Sequence, residues 1–505
     1  MGGAPAPGGE LDMSDSKAAQ ADDVYLRQFG VEPKLKRALG FISSSLFAIA
    51  FQGPTTGALL ITGATLAFGG PAFIWAIPLI FVFQFLIALT WAELSSHYPL
   101  TGGIYQWAKY LGGEGIGWAT GLFYLVAIIL VMPAVGLVIN IVLAGLFPDQ
   151  IKFNGTTEIV ISFLTIIATA LIMSTSVRVV ALINNIGVTL ELIVLGGAAL
   201  LLLGHVHQPL SVLFTTGGAE GKDAYIVPFL IVVALVITQF VGFETAGAFA
   251  EETHNSRVSP ARAIMTALGG ACLFVFVFDF ALILSLPDVA KGMAAPEGVI
   301  PETLTANLGD FGAKAFLVAA FVAVSSTSIA TLAAIVRTMY GMARDNQLPG
   351  SRYLTRLAGN GEPVVCIIVA ALLSMVPLLF VQQIPVLIAA ITFMILIPYF
   401  LVLASLIRKR LGGWPPTTAP FTLGAWGMPL AIIGTVWVAF VAVDAAWPRA
   451  ATNPNLGSFP ILEEAFVVTA VLGALWWFLV LRRRATPPVE PGMAAGAGVT
   501  KAPSR

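Results

Sequence analysis

The stretch Phe51-Gln-Gly-Pro-Thr-Thr-Gly57 interrupts the first long apolar run of the chain near its middle. Gly53 weakens a helix and Pro54 removes one backbone donor, so a break is predicted here. The sixth apolar run contains a second such stretch, Val241-Gly-Phe-Glu-Thr-Ala-Gly247, in which two glycines bracket the carboxylate of Glu244. In a bilayer, irregular backbone is tolerated where it is buried in protein or lines a cavity. Both stretches are therefore candidate ligand sites.

The apolar runs predict twelve membrane-spanning helices. A helix needs about 20 apolar residues to cross the hydrocarbon core. The run Pro363–Ile407 is too long for one crossing, and the turn signal Val381-Gln-Gln-Ile-Pro385 divides it into two. The predicted spans are Phe41–Ala67, Pro71–Ala92, Gly115–Phe147, Ile159–Val177, Val179–Leu203, Tyr225–Ala250, Ile264–Leu286, Ala315–Ala343, two within Pro363–Ile407, Gly427–Val443 and Ala465–Leu481.

The composition of the 505 residues excludes several classes of protein. Hydrophobic residues make up 57% and charged residues 10%, whereas soluble domains carry about 25% charged residues. Such a chain cannot cover a water-facing surface, which excludes a soluble globular protein, a disordered chain and a nucleic-acid binder. The net charge of -1 favours neither acidic nor basic partners. Cys272, Cys366 and the four histidines form no pattern of a disulfide framework or metal site.

The Lys and Arg residues predict that both termini are cytoplasmic. With the N-terminus inside, only five of the 26 lie in outer segments and the other 21 lie in inner ones. Inner loops are the ones enriched in Lys and Arg. The five outer residues are Lys152, Lys222, Lys291, Lys314 and Arg449.

The two ends of the chain are predicted to be disordered cytoplasmic tails. Residues 1–38 are acidic and rich in Gly, Ala and Ser, and they lack the basic start and apolar run of a signal peptide. Residues 485–505 are rich in Pro, Gly and Ala.

The two interrupted spans lie five spans apart. An odd separation gives them opposite directions in the membrane, as an inverted repeat of spans 1–5 and 6–10 requires. In such folds the N-termini of half-helices receive an anionic group, and freed carbonyls receive a cation or ammonium group. A zwitterionic amino acid or a related amine fits both. Pro133, Pro377 and Pro398 interrupt other spans, so a simple kink is the alternative at each break.

Three further stretches resemble signatures of the amino acid–polyamine–organocation superfamily. They follow the second, sixth and eighth spans, and together they extend over most of residues 38–410. The stretches are Glu93-Leu-Ser-Ser-His-Tyr-Pro-Leu-Thr-Gly-Gly-Ile-Tyr105, Glu251-Glu-Thr-His-Asn-Ser-Arg-Val-Ser-Pro-Ala-Arg-Ala-Ile264 and Arg337-Thr-Met-Tyr-Gly-Met-Ala-Arg-Asp-Asn-Gln-Leu-Pro349.

This resemblance implies an all-α membrane protein with a leucine-transporter-type 5+5 inverted repeat and solute uptake by alternating access. Residues 39–410 would form the transport core, and residues 411–484 two peripheral spans. The stretch Asn184-Asn-Ile-Gly-Val-Thr-Leu-Glu191 resembles the branch that includes GABA and choline permeases. Some proton-coupled relatives place a lysine where this chain has Glu191, so their lysine-based coupling does not transfer.

The candidate substrate-binding residues come from the two breaks. In the first break, the backbone amides of Thr55, Thr56 and Gly57 are expected to bind a carboxylate. In the second, Glu244 is expected to bind an amine or carry a proton, with packing against amides of the first span as the alternative. The full set is Gln52, Gly53, Thr55, Thr56, Gly57, Phe243, Glu244 and Thr245.

Glu191 is the candidate coupling group, because it is the single charge of the fifth span after Arg178. It is expected to face spans 1 and 8 and take up a proton, or to help ligate sodium. The hydroxyl cluster Ser325-Ser326-Thr327-Ser328 contains a second candidate ion site, at Ser325, Ser326 and Ser328, with hydrogen bonds to their own backbone as the alternative. Asp279 in the seventh span is expected to make a helix–helix hydrogen bond.

Charged residues near the cytoplasmic boundary are candidates for an inner gate. They are Glu93, Glu251, Arg262 and Arg337. The alternative is that they extend separately to the interface.

The sequence thus predicts a secondary-active plasma-membrane permease, not an enzyme, for amino acids or related amines such as GABA. Proton coupling is expected and sodium is the alternative; no cofactor, metal, nucleotide or nucleic acid is expected. The partners are a small-molecule substrate and the lipid bilayer. The alternatives are an exchanger of the same fold, a choline or polyamine transporter, and a channel or non-transporting sensor or scaffold.

Overall fold

The computed structural model describes residues 20–484, apart from 21, 33, 34, 36, 149, 152, 153, 220–223, 296, 297, 381–383, 416–418, 451, 457 and 458. The tail predictions for residues 1–19 and 485–505 lie outside the described residues. So do Lys152 and Lys222 of the outer-side charges.

Eleven helices of the described chain are long and apolar enough to cross a membrane, and a shorter apolar helix occupies the place of the predicted ninth span. The ninth helix is short because Pro377 lies in a closing 3₁₀ turn, Val376–Leu379. In chain order, α1 to α12 are Phe41–Gly69, Pro71–His97, Glu114–Leu146, Gly155–Met173, Val177–Leu203, Ile226–Ala248, Ser259–Leu284, Val299–Arg344, Val364–Leu379, Ile384–Leu411, Gly424–Ala446 and Ile461–Leu481.

Short elements connect these helices. The helix α8 changes direction at Gly309, whose φ of 72° and ψ of 175° are not helical. A small antiparallel pair of strands precedes α12, with Asn455 opposite Pro460. The connecting helices are Ile104–Gly112, Leu210–Phe214, Ala250–Glu252, Val289–Ala294 and Ser351–Leu354, and the strands are Asn455–Leu456 and Phe459–Pro460.

The predicted break in α1 is present at Gly53. The helix Phe41–Gln52 ends there, because Gly53 adopts the left-handed conformation with φ 56° and ψ 68°. A short turn, Pro54–Gly57, and a wide π-helical turn, Ala58–Thr62, follow before the regular helix resumes. Glycine is suited to this position because it reaches positive φ without the strain that a Cβ causes.

The predicted break in α6 is also present. Its first part tightens into a 3₁₀ turn, Ile237–Phe240, and Val241 is extended. Gly242 has a φ of 94°, and a Cβ there would lie 2.0 Å from Cδ1 of Phe51. The break in α6 therefore packs directly against the break in α1.

The broken helix α1 lies at the centre of the bundle. It packs against α5, α7 and α8, while α3 and α10 pack against each other on the other side of the cavity described below. In the most apolar stretch of α1, 83% of the residues are buried inside the protein, whereas in the corresponding stretch of α12 only 11% are buried. The last helix is thus peripheral, and the broken helices form the core.

The prediction of a disordered tail up to residue 38 is wrong for its final part. Residues 22–27 form a helical turn, and Leu26 and Phe29 are buried against the bundle. The hydroxyl of Tyr25 donates to the backbone oxygen of His97 at 3.0 Å. The physical reason is that three apolar residues, at positions 25, 26 and 29, fall on one face of a helical turn and can be buried together.

Candidate functional site

A cavity of about 50 Å³ lies where the two breaks meet. Five helices contribute to its wall: both broken helices and α3, α8 and α10. Its lining residues are Phe51, Gln52, Thr56, Gly57, Leu60 and Ile61 of α1; Val131, Ala134 and Val135 of α3; Thr238, Gln239 and Val241 of α6; Thr327 of α8; and Ile391 and Ile395 of α10.

The structure separates the predicted substrate residues into two groups. Gln52, Thr56 and Gly57 line the cavity. The other five, which are Gly53, Thr55, Phe243, Glu244 and Thr245, are not part of its lining. The sequence identified both breaks but not which of their side chains face the cavity. Gln239 and Thr238 were missed, and Thr327 was named with the α8 hydroxyls but not as a residue of the cavity wall.

Two of the three amides expected to bind a carboxylate already have partners. The Thr55 N–H donates to Oε1 of Glu191 at 2.8 Å, and the Gly57 N–H donates to the Gly53 oxygen at 2.7 Å. The hydroxyl of Thr56 lies 3.0 Å from that of Thr327, across the cavity wall.

Glu244 is buried and fully engaged, so the expectation of direct amine binding is not met in this conformation. The Tyr124 hydroxyl donates to its Oε1 at 2.8 Å. Its Oε2 accepts the Gly242 N–H at 3.0 Å and a short hydrogen bond from the Tyr399 hydroxyl. The carboxylate thus joins α3, α6 and α10. The backbone amide that binds Glu244 is that of Gly242, in the α6 break itself. The alternative expectation, that Glu244 binds amides of α1, is therefore not met.

The two neighbours of Glu244 are structural in this arrangement. Phe243 is buried, with its ring edge-on to Tyr399 at 6.3 Å between centroids. The Thr245 hydroxyl donates to the Gly242 oxygen at 2.6 Å and stabilises the turn of the break.

The cluster of Tyr124, Glu244 and Tyr399 lies on one side of the cavity. We call the side of the bundle where α1 begins the N-terminal side. The helix α3 runs in the same direction as α1, and Tyr124 precedes the lining residue Val131, so Tyr124 lies nearer the N-terminal side. The helix α10 runs in the opposite direction, and Tyr399 follows the lining residue Ile395, so Tyr399 also lies nearer that side. The cluster therefore lies between the cavity and the N-terminal side.

Glu191 faces α1 and α8 as predicted. It is buried, its Oε1 accepts the Thr55 N–H, and its Oε2 has no hydrogen-bond partner among the described residues. One turn earlier, a Cβ at Gly187 would lie 1.7 Å from Oγ of Ser326, which shows how closely α5 and α8 approach. Asn184, on the same face of α5, is also buried without a described partner for its side-chain atoms.

The structure does not bring the three predicted serines of α8 together. Ser325 and Ser326 donate to the backbone oxygens of Phe321 and Val322 at 2.7 and 3.3 Å. Ser328 instead lies 2.7 Å from the Thr169 hydroxyl of α4. Adjacent positions such as Ser325 and Ser326 point in different directions, and each of the three hydroxyls has its own partner.

Asp279 makes the predicted helix–helix hydrogen bond. The Thr62 hydroxyl, at the end of the π-helical turn of α1, donates to Oδ1 of Asp279 at 2.8 Å.

Three close ion pairs on the N-terminal side include predicted gate residues. Arg337 binds Glu252 through Nε and Nη2, each at 2.9 Å, and Arg344 binds Glu251 at 2.9 Å. Glu93 pairs with Arg410 at a short contact. Of the predicted gate residues, Glu93, Glu251 and Arg337 therefore take part. Glu251 also accepts the Thr101 N–H at 2.7 Å.

The fourth predicted gate residue, Arg262, does not join these pairs. It is exposed and makes no side-chain hydrogen bond or ion pair with the residues that the structure describes, because it lies on the outward face of the first turn of α7. Sequence reasoning missed Glu252, Arg344 and Arg410 as partners, although Glu252 and Arg344 lie within the quoted motifs.

A loop carboxylate, Glu362, lies 3.7 Å from Arg337. Burial raises the pKa of Glu362 against the opposing effect of the Arg337 guanidinium.

Sequence comparison places this architecture among known proteins. Residues 41–472 match the family model described as amino acid permease. Amino-acid permease BAT1 of Arabidopsis thaliana is 23% identical over 520 residues, covering 95% of this chain and 98% of that protein. The branched-chain amino acid permease BcaP of Bacillus subtilis is 25% identical, covering 63% of this chain and 70% of that protein.

A solved structure agrees in fold. The crystal structure of MhsT in complex with L-phenylalanine matches with a TM-score of 0.56 at 17% identity, covering 79% of this chain and 98% of that chain. The fold is thus of the leucine-transporter type, with its first and sixth helices broken. Since the family match extends over most of the sequence, the chain belongs to the amino acid permeases of the amino acid–polyamine–organocation superfamily, which are multi-pass membrane transporters.

Proposed function

We propose that this permease binds its amino acid in the cavity between the breaks of α1 and α6 and couples uptake to a proton at Glu191, by alternating access. The cavity lies within the bundle at the depth where both helices are interrupted. The names of BcaP and of the MhsT complex refer to neutral amino acids, which supports a solute of this kind.

The proposed orientation makes the N-terminal side cytoplasmic, in the plasma membrane. The excess of Lys and Arg in the segments on that side supports this assignment. The cluster of Tyr124, Glu244 and Tyr399 and the three ion pairs then separate the cavity from the cytoplasm. Release of the solute inward requires these contacts to part, which is the gate role that we propose for Glu93, Glu251 and Arg337.

The contact between Glu191 and Thr55 is the observation that carries the coupling proposal. Oε1 of Glu191 holds an amide of the α1 break at 2.8 Å, and Oε2 is free to take a proton. A charged acceptor makes a stronger hydrogen bond than a neutral one. Protonation of Glu191 therefore weakens its hold on the break, and this links proton binding to the shape of the cavity.

The separation of the three α8 serines favours a proton over sodium. Sodium would need several oxygen ligands at one point, and Ser325, Ser326 and Ser328 have different partners. A proton needs only one acceptor atom, and Oε2 of Glu191 supplies it.

Uptake into proteoliposomes tests the coupling with Glu191→Gln. For the wild type we expect uptake of labelled alanine or GABA to rise as the external pH falls below the internal pH, and to collapse with a protonophore. Glu191→Gln keeps an amide acceptor but cannot take the proton, so we expect exchange of preloaded solute to persist while the response to the pH gradient is lost.

The matched control is Asp279→Asn, which changes another buried carboxyl group of the bundle. It should retain the pH response, because Asp279 binds the Thr62 hydroxyl rather than an amide of the break. A Glu191→Gln protein that still follows the pH gradient would disprove the coupling role. A wild type that responds to sodium replacement but not to the protonophore would identify sodium as the ion.

A further inference from the structure

The wall of the central cavity is uncharged. Among the described residues that line it, none is acidic or basic; its polar side chains are two glutamines and three threonines, and the others are aliphatic apart from Phe51. The nearest carboxylates, Glu191 and Glu244, make their contacts outside this wall. A solute in this cavity must therefore be recognised by neutral groups.

The threonine hydroxyls of the wall are paired with other hydroxyls. Thr56 lies 3.0 Å from Thr327, and Thr238 makes a short hydrogen bond with Thr392 of α10. These pairs hold the wall together, whereas the side-chain oxygens of the two glutamines have no hydrogen-bond partner among the described residues.

Both glutamines present an unpaired oxygen. Gln52 is 6% exposed and Gln239 is 4% exposed, and neither Oε1 has a hydrogen-bond partner among the described residues. The orientation of Gln52 is fixed because its Nε2 donates to the Ala48 oxygen at 3.2 Å. A buried acceptor without a donor is unfavourable, so these oxygens are suited to a ligand that donates.

We propose that Gln52 and Gln239 bind the ammonium group of the solute, and that the permease is specific for small amino acids with one ammonium group, one carboxylate and a short aliphatic chain. This inference rests on the proposed function, since it takes the cavity as the solute site. An ammonium group carries three donors and no acceptor, and two carbonyl oxygens satisfy it without adding a charge to the wall.

The same wall disfavours the other amines that the sequence left open. A polyamine brings a second ammonium group, which has no carboxylate to meet in the cavity. Choline has no N–H to donate, and quaternary ammonium groups are recognised by cages of aromatic rings, whereas Phe51 is the single aromatic residue among the described lining residues. Glutamate, unlike a zwitterion, would add a net negative charge to a wall without a basic residue.

The size of the cavity limits the length of the solute chain. A water molecule needs roughly 10–15 Å³ of such space, so a cavity of about 50 Å³ favours a small solute. Aliphatic residues such as Leu60, Val135 and Ile391 form the walls on which its methylene or methyl groups pack. Alanine and GABA are the two probes that represent this class.

Competition binding to the purified permease in nanodiscs tests the specificity. Labelled alanine and labelled GABA are displaced with unlabelled alanine, GABA, glutamate, putrescine and choline. We expect alanine and GABA both to bind and to displace each other. The concentrations of alanine and GABA needed for displacement should be at least tenfold lower than those of glutamate, putrescine and choline. Stronger competition by glutamate, putrescine or choline overturns the specificity.

Substitution of each glutamine tests its role. Gln52→Met and Gln239→Met keep a side chain of similar length but remove the acceptor, and we expect the apparent Kd to rise about tenfold or more, as for loss of a hydrogen bond to a charged group. The matched control is Gln106→Met, which changes a buried glutamine of the connecting helix Ile104–Gly112, away from both breaks, and should leave the Kd unchanged. Unfolding temperatures are measured for all three variants.

A cavity-filling variant separates failure of this inference from failure of the proposed site. Ala134→Leu adds bulk to the α3 wall and should abolish binding of both probes. If Ala134→Leu abolishes binding while both glutamine variants bind normally, the glutamine assignment is wrong and the site stands. If Ala134→Leu binds both probes normally, the cavity is not the solute site, and the proposed function fails with the inference.

Discussion

Glu244 is the residue on which three helices converge. Its two oxygens accept from Tyr124 of α3, Tyr399 of α10 and the Gly242 amide of its own break. A buried carboxylate with three donors is stabilised in place and has little capacity left for a ligand. Its role in this conformation is to hold the α6 break against the neighbouring helices on the N-terminal side of the cavity.

At this residue we expect Tyr399→Phe to weaken the closed conformation. The variant removes one hydroxyl donor and leaves the ring, so packing is kept while Oε2 of Glu244 retains only the Gly242 amide. Loss of a hydrogen bond to a charged group costs about 1.5–3 kcal/mol. We expect a lower unfolding temperature and faster labelling of a cysteine placed at the cavity from the N-terminal side.

Tyr353→Phe is the control for this substitution, because Tyr353 is exposed on the short connecting helix Ser351–Leu354 and distant in sequence from the cluster. It should behave as the wild type in both assays. Equal stability and equal labelling of the two variants would show that the Tyr399 hydroxyl does not hold the cavity closed.

Single residues were only partly predictable. A lone acid inside an apolar run must have partners, and Glu191 and Glu244 were recognised on that ground. Their partners could not be identified, because Thr55 lies 136 residues from Glu191 and Tyr399 lies 155 residues from Glu244. Gln239 was missed because a neutral residue before the α6 break gives no local signal that it faces a cavity.

The irregular shape of α1 depends on one residue. Gly53 is left-handed, and a Cβ at that position would lie 2.8 Å from Oγ1 and 2.9 Å from Cγ2 of Thr327. Both the backbone conformation and the close approach of α8 therefore require glycine. The break determines where Thr55 meets Glu191.

We expect Gly53→Ala to damage both stability and transport. The left-handed conformation costs a non-glycine residue about 1–2 kcal/mol, and the clash with Thr327 adds to this. Transport should fall more than tenfold, because displacement of the break also moves the Thr55 amide away from Glu191. Uptake into proteoliposomes and the unfolding temperature are the measurements.

Gly269→Ala in α7 is the matched control, since a Cβ there meets no atom within 4 Å and no positive φ is involved. It should be neutral or slightly stabilising, as is usual for Gly→Ala in a helix. Adding Thr327→Ala to Gly53→Ala should restore part of the stability by removing the clash but not the strain. Wild-type activity of Gly53→Ala would disprove the requirement for the break.

The helices themselves follow from local properties of the sequence, which is why their positions were predictable. Apolar length locates the spans, and Gly and Pro locate both breaks. The shortness of α9, where Pro377 lies in the closing 3₁₀ turn, and the π-helical turn of α1 were not foreseen. The serines of α8 could not be assigned from sequence, because their hydroxyls have different partners, one of them Thr169 of α4.

For the molecule as a whole, the segment of residues 22–30 connects two regions of the N-terminal side. Phe29 packs edge-on against Tyr98 and Tyr110, which flank the loop and helix after α2. Asp22 accepts the Ser256 amide at 2.9 Å, in the loop between α6 and α7. The segment thus bridges the end of α2 and the end of α6.

We expect Phe29→Ala to loosen this side of the molecule. Truncation of a buried phenylalanine costs about 3–5 kcal/mol in a rigid core, and the segment should detach before the bundle unfolds. Limited proteolysis near the N-terminus should then become faster, while solute binding to the cavity persists.

Val24→Ala is the control, because Val24 lies in the same helical turn but is 63% exposed. Its rate of cleavage should match that of the wild type. If Phe29→Ala is cleaved no faster than Val24→Ala, the segment is not held in place by this contact.

The uncharged wall of the cavity also has an electrical consequence. A zwitterion adds no net charge to it, so the proton on Glu191 is the one net charge that moves inward in the proposed cycle. Each turnover then carries current. The work done by the membrane voltage is about 2.3 kcal/mol per 100 mV, equivalent to a concentration ratio on the order of fiftyfold. A polarised membrane would therefore drive accumulation even when both sides have the same acidity.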